Sequence, residues 1–280
     1  MFNYTGRLYT FGCSMTSYFY PTWADILGQE FSYYENWGEP GAGNTFIFNS
    51  VVECLARNNI TNNDTIIVMW SGISRIDYYK HRWIHSTHNV LSKTNDALNC
   101  ADGFEIMDYA LIHSLEELLT AKGIPHHFWS WCNYNKESPA GKIYRFTLDK
   151  IVEFTLPRLN IKIEPKTLET VENNRKLYNR IAGSNWPTFE NVNADLSKYT
   201  DKIQKEVAEF NQLVQDSCER LTNASTVEIH PSPVQYLDTI TSKLPIVVSD
   251  KTKNWVHDID NKIRTKQPYN FIKSIPRERL

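Results

Sequence analysis

Ser14, His230 and two glycine-bearing turns are the parts of this 280-residue chain whose types and order could do chemistry. An apolar, β-prone run, Leu8-Tyr9-Thr10-Phe11, stops at Gly12, and Ser14 follows in Gly12-Cys13-Ser14-Met15-Thr16. Glycine permits a sharp turn at a strand end, and a serine on that turn presents its hydroxyl at the rim of a sheet. A hydroxyl is a poor nucleophile until a base takes its proton, and histidine is the side chain whose pKa suits that near neutrality. His230 is the best-placed base, because the prolines of His230-Pro231-Ser232-Pro233 hold its loop extended and stiff. A second turn, Asn36-Trp37-Gly38-Glu39-Pro40-Gly41-Ala42-Gly43-Asn44, follows another β-like run. Acyl transfer builds negative charge on a carbonyl oxygen, and each preorganised N–H donor there is worth roughly 3–4 kcal/mol. The amides of Ser14 and Gly41 are the natural donors, since a glycine lets the backbone come close. This order of groups points to a serine hydrolase.

The elements that must position them alternate. Arg7–Phe11 reads as a first strand and Pro21–Gly28 as a short helix, opened by proline and closed by glycine. Phe31–Asn36 reads as a second strand, and Thr45–Asn58 has apolar positions near helical spacing. Asp64–Trp70 is a continuous apolar run, the signature of a parallel strand buried on both faces. Residues 75–104 lack a clear period and read as a long loop. Phe104–Lys122 is amphipathic and stops at Gly123, and His126–Trp131 reads as a fourth strand. The order implies an α/β fold, a three-layer sandwich around a central parallel sheet of about five strands in flavodoxin-like order. The whole chain, 1–280, reads as a single domain, with a lid-like inserted segment at about 133–200. Asp201–Leu221 reads as a helix, Thr226–Ile229 as a short β run into His230, and Pro233–Leu244 as the start of the last helix.

Bulk properties exclude several classes. Thirty basic and 32 acidic residues give a net charge of −2 with no long single-sign run, which argues against nucleic-acid binding. The mildly basic end, Lys273–Leu280, reads as a solvated tail. Five scattered cysteines without a CxxC pair argue against a disulfide framework and a structural zinc. The N-terminus lacks the form of a signal peptide, and no apolar stretch approaches the roughly 20 residues that span a bilayer. A cytoplasmic protein with no membrane partner is the expectation. Gly41-Ala42-Gly43 is not followed by Lys-Ser/Thr, so no nucleotide role is expected, and no cofactor. His81, His85 and His88 could ligate a metal from a helix, but their surroundings (Arg82, Ser86, Thr87) look loop-like and no carboxylate or thiolate is adjacent in sequence; no metal is expected. His126 and His127 read as core or edge residues. Eight Trp and fifteen Tyr exceed what a minimal core needs. They either line a groove suited to a sugar or protein partner or enrich the core and surface generally.

The blocks resemble those of the SGNH (GDSL-like) hydrolases. Gly12-Cys13-Ser14 stands where that family has Gly-Asp-Ser, and Asn36-Trp37-Gly38-Glu39-Pro40-Gly41 resembles its Asn-x-Gly-x-x-Gly block. Trp70-Ser71-Gly72-Ile73-Ser74-Arg75 occupies the place of Gly-x-Asn-Asp, and Val227-Glu228-Ile229-His230-Pro231 that of Asp-x-x-His-Pro. The resemblance spans about residues 7–132 and 200–245, and its Gly-Cys-Ser form resembles a divergent branch of phage and marine bacterial sequences. It implies a third oxyanion donor from the third block. That block has no Asn here, so Ser74, Ser71, the Arg75 guanidinium or Asn44 would substitute. Arg75 and Trp70 are candidate substrate contacts. The family's acid is displaced, since Val227 cannot orient an imidazole. Glu228 is the candidate third member of the triad, and a backbone carbonyl with a Ser-His dyad is the alternative.

The implied activity is a carboxylic ester hydrolase that removes O-acetyl or similar small acyl groups from a carbohydrate. A second reading is a catalytically weak or inactive structural or host-recognition module of a phage particle, motivated by the missing Asn and Asp. Partners are then an acylated carbohydrate, or copies of the chain in a homo-oligomer or virion. A lipid-active esterase fits less well, because no strongly amphipathic surface helix is evident.

Overall fold

The computed structural model describes residues 4–73, 75–79, 83–87, 101–159, 230–265, 267 and 269. The chain divides into two compact units, Met1–Pro157 with His230–Arg277 and Arg158–Ile229 with Glu278–Leu280. Every element named below belongs to the first. The helix expected over Asp201–Leu221, the β run at Thr226–Ile229 and most of the segment expected as an insertion lie outside the described residues.

The first unit opens with β1 (Arg7–Phe11), α1 (Trp23–Gly28), β2 (Tyr33–Asn36), α2 (Asn44–Arg57) and β3 (Thr65–Trp70). A hairpin follows, β4 (Arg75–Tyr79) and β5 (Trp83–Thr87), then α3 (Ala101–Ala121) and β6 (His126–Ser130). Two short helices, α4 (Pro139–Ile143) and α5 (Arg145–Leu148), precede β7 (Val152–Glu153). The last helices are α6 (Pro233–Lys243) and α7 (Asp250–Arg264).

Five strands form one sheet in the order β2-β1-β3-β6-β7, and every neighbouring pair is parallel. The expected α/β class and strand order are those observed. β3 is buried at every position. Its pairing with β1 and β6 puts Tyr9, Phe11, Val68 and Phe128 on one face, and Leu8, Ile67, Met69 and Trp129 on the other. The Trp129 ring meets Trp23 of α1 edge-on at 4.6 Å. α1, α6 and α7 pack together as one helical layer, and α2 to α5 as the other. Cys13 and Cys54 are buried thiols, neither of them in a disulfide among the described residues. No helix among the described residues is long and apolar enough to cross a membrane.

Two expectations are corrected. The stretch from 75 is not a loop throughout: β4 and β5 pair antiparallel, Arg75 opposite Thr87 and Tyr79 opposite Trp83. The chain after Pro233 is two helices, not one. It breaks at Leu244-Pro245 and restarts where Ser249 Oγ accepts from Thr252 N at 3.3 Å.

Candidate active site

Ser14 sits in the tight turn that ends β1. The amides of Thr16 and Ser17 both donate to Cys13 O, at 2.9 and 3.0 Å. Gly12 is required by close approach: a Cβ there would fall 2.1 Å from Thr16 Oγ1 and 2.9 Å from Met69 O. The turn is stitched to its neighbours. Thr22 Oγ1 and Asn36 Nδ2 both donate to Thr16 O, at 2.6 and 2.8 Å. Buried Asp25 accepts from Thr22 N (3.0 Å), Tyr34 OH (3.2 Å) and Asn36 Nδ2 (3.3 Å). Trp37 N donates to Thr10 O at 2.7 Å, Glu39 N to Gly12 O at 2.9 Å, and Gly38 N to Asn36 Oδ1 at 2.9 Å. The serine turn and the second glycine block are thus one hydrogen-bonded unit at the C-terminal end of the sheet, where open parallel sheets bind ligands.

His230 arrives from the far end of the sequence. Its ring stacks on Tyr18 with centroids 3.9 Å apart and planes at 26°. Tyr20 OH donates to the His230 carbonyl at 3.5 Å, and Tyr236 OH reaches Met15 Sδ at 3.5 Å. The α6 cap holds the loop: Ser232 N donates to Gln235 Oε1 at 2.8 Å, Gln235 N to Ser232 Oγ at 3.4 Å, and Pro233 occupies the first turn. Ser14 and His230 are both buried, each 8% exposed. Among the described residues no hydrogen bond joins the Ser14 hydroxyl to the His230 ring.

The other sequence candidates are placed as follows. Gly41 is exposed with φ of +90°, a left-handed conformation that favours glycine. Asn44 is buried, and its amide is engaged on both sides. Nδ2 donates to Asp108 Oδ2 at 2.8 Å and Ser71 O at 3.1 Å, while Oδ1 accepts from Ser71 N at 2.8 Å. Asn44 therefore ties the second block to the end of β3, and its donors are spent there. Ser71 Oγ is buried without a hydrogen-bond partner among the described residues. Arg75 donates to Ala42 O at 2.9 Å and lies 5.6 Å from the Trp131 ring. Trp70, expected to touch substrate, has no exposed surface and packs edge-on against Phe128 at 5.4 Å, so its place is in the core. Ser74, Glu228, His81 and His88 lie outside the described residues.

Two groups were not anticipated. His85 lies in β5 with Nδ1 2.7 Å from Asp77 Oδ1 and Nε2 3.3 Å from Glu39 Oε1, carboxylates distant in sequence. Burial opposes charge on this imidazole, but its hydrogen bond to Asp77 and the nearby Glu39 carboxylate outweigh that and raise its pKa. Asp108 on α3 is buried beside Asn44, and burial pushes its carboxyl up to about 7 against the Asn44 hydrogen bond. Helical spacing places Asp108 among the apolar positions of α3, which was the available signal. Among the described residues, His113, Glu116 and Glu117 bring ligand atoms within 4.8 Å of one another. The Glu116 carboxylate is already held there by Lys150 and by Thr147 Oγ1 at 2.6 Å.

No protein-family model matches the chain, nor does any curated protein. Among solved structures, it is similar to a member of the lipolytic protein G-D-S-L family from Veillonella parvula, at 14% identity and TM-score 0.31 over 52% of this chain and 69% of that one. It is also similar to the protein YxiM of Bacillus subtilis, at 12% identity and TM-score 0.34 over 79% of this chain and 58% of that one.

Proposed function

We propose that the chain is a serine carboxylic ester hydrolase acting on O-acetyl or similar small acyl groups of a carbohydrate. The reading is carried by one observation: the His230 ring rests on Tyr18, in the segment that leaves the Ser14 turn. Ser14 Oγ attacks the ester carbonyl while His230 takes its proton. The amides of Ser14 and Gly41 receive the charge that builds on the carbonyl oxygen. The tetrahedral adduct collapses, the alcohol leaves with the proton held by His230, and an acyl-serine remains. A water then gives a proton to His230, adds to the acyl carbon and releases the carboxylic acid as Ser14 recovers its hydrogen. Tyr18 and Phe19, half-buried with centroids 4.1 Å apart, place aromatic surface beside the base, against which a sugar could rest.

The test is covalent labelling by a fluorophosphonate probe, followed by acetate release from an acetylated polysaccharide. Wild type is expected to label and to release acetate, and Ser14→Ala to do neither. A wild-type protein that neither labels nor hydrolyses p-nitrophenyl acetate or the polysaccharide would overturn the reading.

A further inference from the structure

We propose that His85 is a positioning residue that clamps the Glu39–Gly43 turn against the β4–β5 hairpin and so sets the direction of the Gly41 amide. This rests on the reading of Gly41 as an anion donor and deepens it. Helix α2 is capped at Gly43, which has no side chain to satisfy the helix amides. Its first amides are satisfied from β4 instead: Gly43 N donates to Asp77 Oδ1 and Phe46 N to Asp77 Oδ2, both at 2.8 Å. Asp77 is the buried position of an otherwise part-exposed strand, which explains why a carboxylate stands there.

The same Asp77 oxygen receives His85 Nδ1, and the other face of the imidazole looks at Glu39. Nε2 lies within ion-pair reach of Glu39 Oε1, off the line of a good hydrogen bond, and buried. Two carboxylates, one from the hairpin and one from the glycine turn, are therefore bridged by one ring. Arg75 adds a second tie by donating to Ala42 O, and Phe46 of α2 meets the imidazole edge-on at 5.0 Å. Gly41 lies against this ring, since a Cβ on it would sit 3.4 Å from His85 Cβ. The charged groups facing His85 among the described residues are Asp77 from β4 and Glu39 from the turn, while the Arg75 guanidinium is turned to Ala42 O and the Trp131 ring. Only the imidazolium can donate to both carboxylates at once. The clamp is complete below the ordinary histidine range and is lost as pH rises through the raised pKa of His85.

The experiment is amide hydrogen exchange over residues 36–47 in wild type and His85→Gln, with kcat and KM for p-nitrophenyl acetate measured alongside. His85→Gln keeps a donor for Asp77 and removes the charge. The expected result is exchange about tenfold faster at 39–46, with kcat lowered about 10- to 100-fold and KM changed less than about twofold. Unchanged exchange overturns the clamp, and faster exchange with unchanged kcat overturns the positioning role. An inactive wild type overturns the hydrolase reading, and with it the oxyanion role of Gly41, while the exchange result alone still decides the clamp. Should His85→Gln not fold, wild-type exchange corrected for its intrinsic rate is followed against pH. Protection over 39–46 must then fall as His85 titrates by NMR, and protection indifferent to that titration overturns the proposal.

Discussion

The His230 imidazole lies nearly flat on the Tyr18 ring, at 3.9 Å and 26°. An aromatic face favours positive charge over it, so in the proposed mechanism Tyr18 would assist His230 as it takes the Ser14 proton. It also fixes the ring plane, the service an acid performs in most triads. Tyr18→Leu is expected to lower kcat for p-nitrophenyl acetate by about 2- to 30-fold. Tyr18→Phe keeps the face and should stay close to wild type. Equal losses in the two variants would show that the hydroxyl, not the ring, matters.

The cap of α6 is the second support of His230. Ser232 Oγ accepts from Gln235 N, and Arg264, itself paired with Asp260 at 2.5 Å, reaches Ser232 Oγ at 3.4 Å. Ser232→Ala is expected to cost about 1 kcal/mol in urea unfolding. Because the freed turn carries the base, kcat should fall while KM moves little. A stability loss with unchanged kcat would separate the cap from the position of His230.

Gly41 is sensitive to a single methyl group because of its backbone conformation. At φ of +90° any Cβ is strained, by about 1–2 kcal/mol, while at 3.4 Å from His85 it would make only ordinary contact. Gly41→Ala should therefore lower stability by that amount and slow fluorophosphonate labelling of Ser14 more than tenfold. Labelling at the wild-type rate would remove the Gly41 amide from the oxyanion site.

The parallel core was legible because its strands are apolar runs ended by turn residues. Arg7–Phe11 was read at its observed bounds, and Asp64–Trp70 differs from β3 by one residue. The hairpin was not legible. Its buried position is Asp77, where an alternating strand would carry an apolar residue, because the carboxylate serves α2 and not the core. α7 carries an apolar stripe at Trp255, Val256, Ile259 and Ile263, spacing that could have revealed it beneath a polar composition. β7 is two residues long and has no sequence pattern to read. At the site, the order of serine turn, glycine turn and histidine could be read along the chain. The Asn44–Ser71–Asp108 grouping and the approach of Glu39 to His85 join residues far apart in sequence, and the His85–Asp77 pair depends on the hairpin that was not read.

Asp108 offers a test of the first of these groupings through pH. It is buried, accepts from Asn44 Nδ2 at 2.8 Å, and has no paired cation among the described residues. Burial raises its pKa to about 7, so the fold holds its proton more tightly than the unfolded chain does. Its favourable contribution is then complete below the ordinary carboxylate range near 4, and is lost as pH rises through about 7. Asp108→Asn cannot ionise, and its side-chain oxygen can still accept from Asn44. The stability of wild type relative to this variant should fall between about pH 4 and pH 8, by up to about 4 kcal/mol for a shift of this size. The difference between the two proteins is the quantity to follow, because titration of His85 weakens both alike over part of the same range. A difference that stays constant from pH 4 to pH 8 would mean that Asp108 ionises in the fold as easily as in water, and that water or a cation reaches it beside Asn44.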